Sequence, residues 1–219
     1  MCNRFRSMSN AEEIAQRYKA FVKINFPDNP NVAPTDEVPI IALDQERGRK
    51  ARLARFGLVP RWSKTLKQGL SMTNARIETV TEKPAFREAY RKRRCIIPAD
   101  GYYEWREEDG LKQPYLFTMA DHSPMALAGL WEWAKIDNQD VWSFTILTNE
   151  PNSLAQPIHD RMPCIVAEDK IEQWLDPEKG GLEQLTLFPS ELMSVRRVNR
   201  AMNSPRMKDR HAIDSSSVE

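Results

Sequence analysis

The chain begins MCNRF, and a cysteine directly behind the initiator methionine has chemistry that no internal cysteine offers. Removal of Met1 leaves Cys2 with a free α-amine and a thiol on one residue, a 1,2-aminothiol. Three further stretches are more polar than their surroundings. In SMTNARIET, Asn74, Arg76 and Glu78 occupy alternate positions, so a strand would project all three from one face. Such a face is either an internal polar network or a binding surface. In PADGYYEWRE, Glu104 lies between Tyr103 and Trp105, behind the Asp100-Gly101 turn signal. Desolvation by those aromatics raises a carboxyl pKa and suits it to proton transfer. IHDRMP groups His159, Asp160 and Arg161; on its own, a histidine there is read as structural slightly more readily than as catalytic.

These residues must be carried by elements that the chain also announces. SNAEEIAQRYKAFVKIN reads as an early helix with Ser9 as N-cap and Glu12 completing a capping box, with Ile14, Tyr18, Phe21 and Val22 on one face. NVAPTDEVPIIAL and ARLARFGLVPRW read as strands, and EKPAFREAYRKR as a helix with Pro84 in its first turn. A series of short β-type runs follows, RCIIP, GYYEW, PYLFTM, MALAGLWEW and VWSFTILT, divided by Asp, Gly and Pro. AEDKIEQWL is a late helix and ELMSVRRV a last strand. The pattern predicts an α+β fold: a single domain with a mainly antiparallel, barrel-like sheet and flanking helices. The domain is expected over residues 2–205, with 206–219 as a polar, flexible tail.

At 219 residues the chain suits one domain with a sizeable core. No apolar run reaches membrane-helix length and the N-terminus lacks a signal-peptide core, so the expected location is the cytoplasm. Three separated cysteines without a CxxC or HxxxH pair argue against a disulfide framework and a zinc site; no cofactor is expected. Cys95 and Cys164 sit in apolar contexts typical of buried strands. A net charge of +1 excludes a bulk polycation, so nucleic-acid contact must be local. The arginine runs at 47–55 and 87–94 read first as solvated faces.

Taken together, MCNRF, NVAPT, NARIET, KPAFR, RRCIIPADGYYEW, LAGLWEW, IHDRMP and NSPR occur in the order and spacing of the SRAP family, and the chain resembles that family over almost its whole length. Two positions depart from the pattern: Asn3 stands where glycine is usual, and Phe56 where tryptophan is usual. The resemblance implies a sensor of abasic sites in single-stranded DNA that forms a covalent crosslink through Cys2, shielding the lesion during the DNA damage response. An abasic sugar opens to an aldehyde, which an aminothiol converts to a Schiff base and then a thiazolidine. The first step needs a neutral amine, and at pH 7 roughly one α-amine in seven is neutral against about one lysine in 2500. Closure by the thiol of the same residue is intramolecular. By the same resemblance Asn74, Glu104 and His159 join Cys2 as catalytic residues, Glu104 and His159 moving protons and Asn74 positioning Cys2 and the sugar. Arg4, Arg76 and Arg161 would hold flanking phosphates, with Asn31 and Trp105 lining the site. Trp62 would stack on bases, though a core role is equally compatible with its surroundings. The implied partners are abasic single-stranded DNA and the replication machinery, and the implied state is a monomer associated with DNA, away from membranes.

Two other uses of the same residues stay open at this point. Cys2 is also the right residue for an N-terminal nucleophile, as a peptidase removing Met1 or as an amidohydrolase, and the family name carries hydrolase and lyase associations. Alternatively, the protein is a non-covalent single-stranded DNA-binding module with an incidental cysteine.

Overall fold

Short runs of β-forming residues separated by turn residues make strand the main regular structure of this chain. The structure, a computed structural model, describes residues 2–215; Met1, whose removal is expected, and residues 216–219 lie outside the described residues. The strands are β1 (Phe5–Ser7), β2 (Asn29–Val32), β3 (Glu37–Leu43), β4 (Arg49–Phe56), β5 (Asn74–Arg76), β6 (Arg94–Ala99), β7 (Gly101–Glu108), β8 (Leu111–Met119), β9 (Met125–Ile136), β10 (Gln139–Asn149), β11 (Met162–Pro163) and β12 (Met193–Arg197). The α-helices are short: α1 (Ala11–Tyr18), α2 (Arg87–Lys92), α3 (Ile171–Leu175) and α4 (Arg210–Asp214).

β10, β4, β3, β6 and β9 join edge to edge, and β9 pairs back onto β10, closing a five-stranded barrel. Closure removes the exposed edges that an open sheet would present. β5 and β11 lie along the C-terminal half of β10. The second sheet runs β12-β8-β7-β1-β2. Pairing is antiparallel except where β10 meets β4 and β5, so the expected α+β, mainly antiparallel barrel is the fold observed. Phe56 explains its own departure from the family pattern: it stacks on Phe144 at 5.2 Å and meets Phe5 edge-on at 5.5 Å inside the core.

Two glycines set the approach to the site. Gly101 has φ +148°, and a Cβ there would lie 2.6 Å from the Phe117 carbonyl oxygen, so the turn into β7 requires glycine. Gly57, at φ +109°, lets its backbone meet that of Gly69. That contact lays the Leu66–Ser71 3-10 turn on the end of β4, and the Leu58 N–H then bonds to the Met72 carbonyl, directing the chain into β5.

The structure also departs from expectation in several elements. Helix α1 is capped by Asn10 and Glu13, one residue later than Ser9 and Glu12. Asp100 is the reason: it takes the Ser9 hydroxyl at 2.5 Å and the Ser9 backbone N–H at 2.9 Å, leaving Asn10 to cap. The helix stops at Lys19 in left-handed geometry, well before Asn25, because Val22, Ile24 and Phe26 pack at alternate positions as extended chain. Phe21 therefore leaves the helix face, is 61% exposed and bridges to Lys50. Glu78 lies beyond the end of β5, in a turn, and so does not share a strand face with Asn74 and Arg76. The segment expected as a tail contains α4, whose Ile213 is fully buried against Tyr103, Leu116, Val198 and Met202. Asp214 from α4 binds the guanidinium groups of Arg6 and Arg196.

Candidate active site

The N-terminal strand brings Cys2 to Glu104. β1 pairs antiparallel with the start of β7, Phe5 opposite Tyr102, and the Tyr103 N–H bonds to the Arg4 carbonyl at 3.0 Å. Cys2 is 0% exposed, in the same core cluster as Phe5, Tyr102 and Phe117. Burial first, and the nearby Glu104 carboxyl second, push its thiol well above the ordinary range; the Arg4 carbonyl is a long 3.9 Å from Sγ.

Glu104 follows Tyr102 by two residues and so shares its face of β7. It is 2% exposed, and burial pushes its carboxyl up to about 7, with Asp160 adding in the same direction. His159 Nε2 stands 3.7 Å from Glu104 Oε2. The imidazole is fixed by its own neighbours, since the Arg161 backbone N–H donates to Nδ1 at 3.0 Å. Burial lowers the His159 pKa. Nδ1 also lies 3.0 Å from Asp160 Oδ1, while Nε2 faces Glu104. The buried Glu104 carboxyl can therefore exchange protons near neutral pH, beside a half-buried imidazole.

Asn74, from β5, is half-buried. Its Nδ2 donates to Asn3 Oδ1 at 2.7 Å and to Thr73 Oγ1 at 3.1 Å, and the Thr73 hydroxyl donates to the same Asn3 oxygen at 2.8 Å. The side chain at position 3 is thus turned onto β5 and the residue preceding it.

The residues expected to meet DNA divide into two groups. Arg76 is exposed and Trp62 is 61% exposed, so both are available to a ligand. Arg161 is 9% exposed and its guanidinium is held by both Glu78 oxygens, at 2.6 and 2.9 Å, and by the Thr148 carbonyl. Arg4 donates to Asn31 Oδ1 at 2.9 Å and to the Met202 carbonyl. Asn31 is 0% exposed, and its Nδ2 donates to the carbonyls of Ser204 and Met207. It ties the NSPR segment to β2 and does not line an open site. Trp105 is half-buried, and its Nε1 donates to Asn203 Oδ1 at 2.7 Å. A shallow cleft of about 540 Å³ passes His159, lined by Glu150, Gln156 and Asp160. A cleft of about 920 Å³ opens beside Arg6, Arg17 and Asp100 and is lined by none of the residues expected in the site.

The family model described as SOS response associated peptidase (SRAP) matches residues 1–205. The chain belongs to the SRAP family. It is 37% identical to the abasic site processing protein YoaM of Bacillus subtilis, over 98% of both chains. It is 29% identical to the abasic site processing protein HMCES of Xenopus tropicalis, over 69% of this chain and 53% of that one. A crystal structure of a protein from Bacteroides thetaiotaomicron superposes with a TM-score of 0.87 at 27% identity, covering 98% of this chain and all of the other. Within this SRAP chain, Thr73 and the inward turn of Asn3 carried no sequence signal beyond two small polar residues far apart. Only the meeting of the N-terminal segment with β5 identifies them.

Proposed function

We propose that the protein captures abasic sites in single-stranded DNA by forming a thiazolidine with Cys2, after loss of Met1. The observation that carries the reading is the convergence of Cys2, Glu104 and His159: a buried carboxyl with a pKa of about 7 beside the cysteine, 3.7 Å from an imidazole nitrogen. The printed names of YoaM and HMCES, both abasic site processing proteins, supply the substrate class.

In the reaction, the neutral α-amine of Cys2 adds to C1 of the open-chain sugar aldehyde. Loss of water leaves an iminium. The Cys2 sulfur then attacks C1, forming a C–S bond, while the C=N electron pair returns to nitrogen and the thiol proton passes to a base. The net change is aldehyde plus aminothiol to thiazolidine plus water. Burial disfavours a free thiolate at Cys2, so the thiol proton has to leave as the C–S bond forms, and Glu104 is the acceptor at hand. His159 serves as donor during opening of the sugar ring and loss of water. Asn74 orients the amine and the sugar, and exposed Arg76 and Trp62 receive phosphate and base. Removal of Met1, with Cys2 itself as nucleophile, is the one peptide cleavage included in this reading.

The test is adduct formation with an abasic oligonucleotide. Wild type yields a denaturation-resistant adduct, Cys2→Ala yields none while keeping reversible DNA binding, and Cys2→Ser gives only a Schiff base trapped by borohydride. Equal adduct from wild type and Cys2→Ala refutes the assignment.

A further inference from the structure

We propose that Asn3, together with Thr73, is a positioning residue that fixes the orientation of the Asn74 amide and so presents Asn74 Oδ1 as a hydrogen-bond acceptor for the Cys2 α-amine. The inference rests on the function proposed above and assigns a role to the side chain that stands where the family pattern has glycine.

A side-chain amide has two orientations of nearly the same shape, and its hydrogen bonds decide between them. Here the orientation that the structure gives the Asn3 amide closes a circuit. Thr73 has one hydroxyl proton, and it goes to Asn3 Oδ1 at 2.8 Å. With that proton committed, Thr73 Oγ1 meets Asn74 as an acceptor, at 3.1 Å. Asn3, in the orientation shown, presents Oδ1 as an acceptor to the same Asn74 nitrogen at 2.7 Å. Both neighbours therefore demand N–H from Asn74. The flipped amide would set its carbonyl oxygen against two oxygens.

The consequence falls on the other end of the amide. Asn74 Oδ1 is buried and has no hydrogen-bond partner among the described residues. Leaving a buried acceptor unpaired is costly, and such groups in a native fold call for a functional explanation. A donor that arrives or forms during the reaction supplies one. Asn3 follows Cys2 directly in the chain, so the bond that holds Asn74 also tethers it beside the Cys2 amine. An acceptor bonded to one amine N–H leaves the nitrogen lone pair directed at the aldehyde. Glycine at position 3 has no side-chain oxygen and cannot close this circuit.

The test compares Asn3→Ala, Asn3→Gly and Asn3→Asp with wild type, all confirmed by intact mass to begin at Cys2. Single-turnover adduct formation is measured at about pH 8.5, where the α-amine is mostly neutral in each variant. Asn3→Ala and Asn3→Gly are expected to slow the reaction about tenfold, with unchanged affinity for undamaged single strands; Asn3→Asp, whose oxygens accept from both neighbours, returns the rate to within about threefold of wild type. Independently of any reaction, the side-chain amide protons of Asn74 are followed by NMR. They exchange slowly with solvent in wild type and Asn3→Asp, and fast in Asn3→Ala. Wild-type rates in Asn3→Ala, an Asn3→Asp variant as slow as Asn3→Ala, or unchanged amide exchange each overturn the proposal. If wild type itself forms no adduct, the proposed function falls while the exchange measurement still judges the clamp.

Discussion

Glu104 ties stability to reactivity through one proton. Burial raises its carboxyl to about 7 from an ordinary value of 4.5, so between those values the folded state binds a proton that the unfolded chain has released. Stability therefore falls as pH rises through that window, by about 3 kcal/mol in order of magnitude, and levels off above it. Glu104→Gln mimics the protonated form at every pH. The variant should match wild type near pH 4, exceed it by up to that amount at pH 8, and form adduct about 10² to 10⁴-fold more slowly. Denaturant unfolding at the two pH values and a single-turnover assay check both halves; parallel stability profiles for the two proteins would contradict the buried, neutral carboxyl. The sequence points to a desolvated Glu104 for the wrong reason: Tyr103 and Trp105 lie on the opposite face of β7, and Glu104 is buried on the face it shares with Tyr102. The 3.7 Å approach of His159 was not legible, since it depends on a contact between residues 55 positions apart. Asn31 and Arg4 show the same limit: their polarity is visible in the chain, but the carbonyls they bind come from residues 202–207.

Among the elements, the C-terminal segment carries more of the fold than its polar composition suggests. Ile213 is fully buried and Asp214 draws Arg6 and Arg196 together. Ile213→Ala should cost about 2 to 5 kcal/mol, the range for emptying a buried aliphatic site, whereas an ordinary surface substitution stays within about 0.5 kcal/mol. Unfolding in denaturant distinguishes the two, and a neutral Ile213→Ala would mean that α4 does not hold the domain. One isoleucine in KDRHAIDSSSVE is a weak signal, and its burial partner Tyr103 lies on β7. The strands were easier to read: RCIIP, GYYEW and PYLFTM are short β-type runs divided by Asp, Gly and Pro. The first helix was overextended because Phe21 and Val22 continue its apolar face, while the alternate spacing of Val22, Ile24 and Phe26 marks extended chain. Capping was displaced by a single residue because Asp100, distant in sequence, competes for Ser9.

The whole molecule has a net charge of only +1, so in the proposed function reversible contact with DNA has to come from local cations. Arg4 and Arg161 are engaged within the fold, and Arg76 is exposed. Arg76→Ala should therefore reduce the slope of log K against log salt by about 0.7 for single-stranded DNA, with little change in melting temperature; an unchanged slope would remove Arg76 from the phosphate contacts. Arg161→Ala should instead act mainly through stability, since it removes the buried guanidinium that binds Glu78 and the Thr148 carbonyl. The most direct test of the account as a whole is the mass of the product. Wild-type protein incubated with an abasic single-stranded oligonucleotide should gain the oligonucleotide mass minus one water, and peptide mapping should put the attachment on an N-terminal peptide that begins at Cys2. Attachment at any other residue, or the same product from Cys2→Ala, would contradict it.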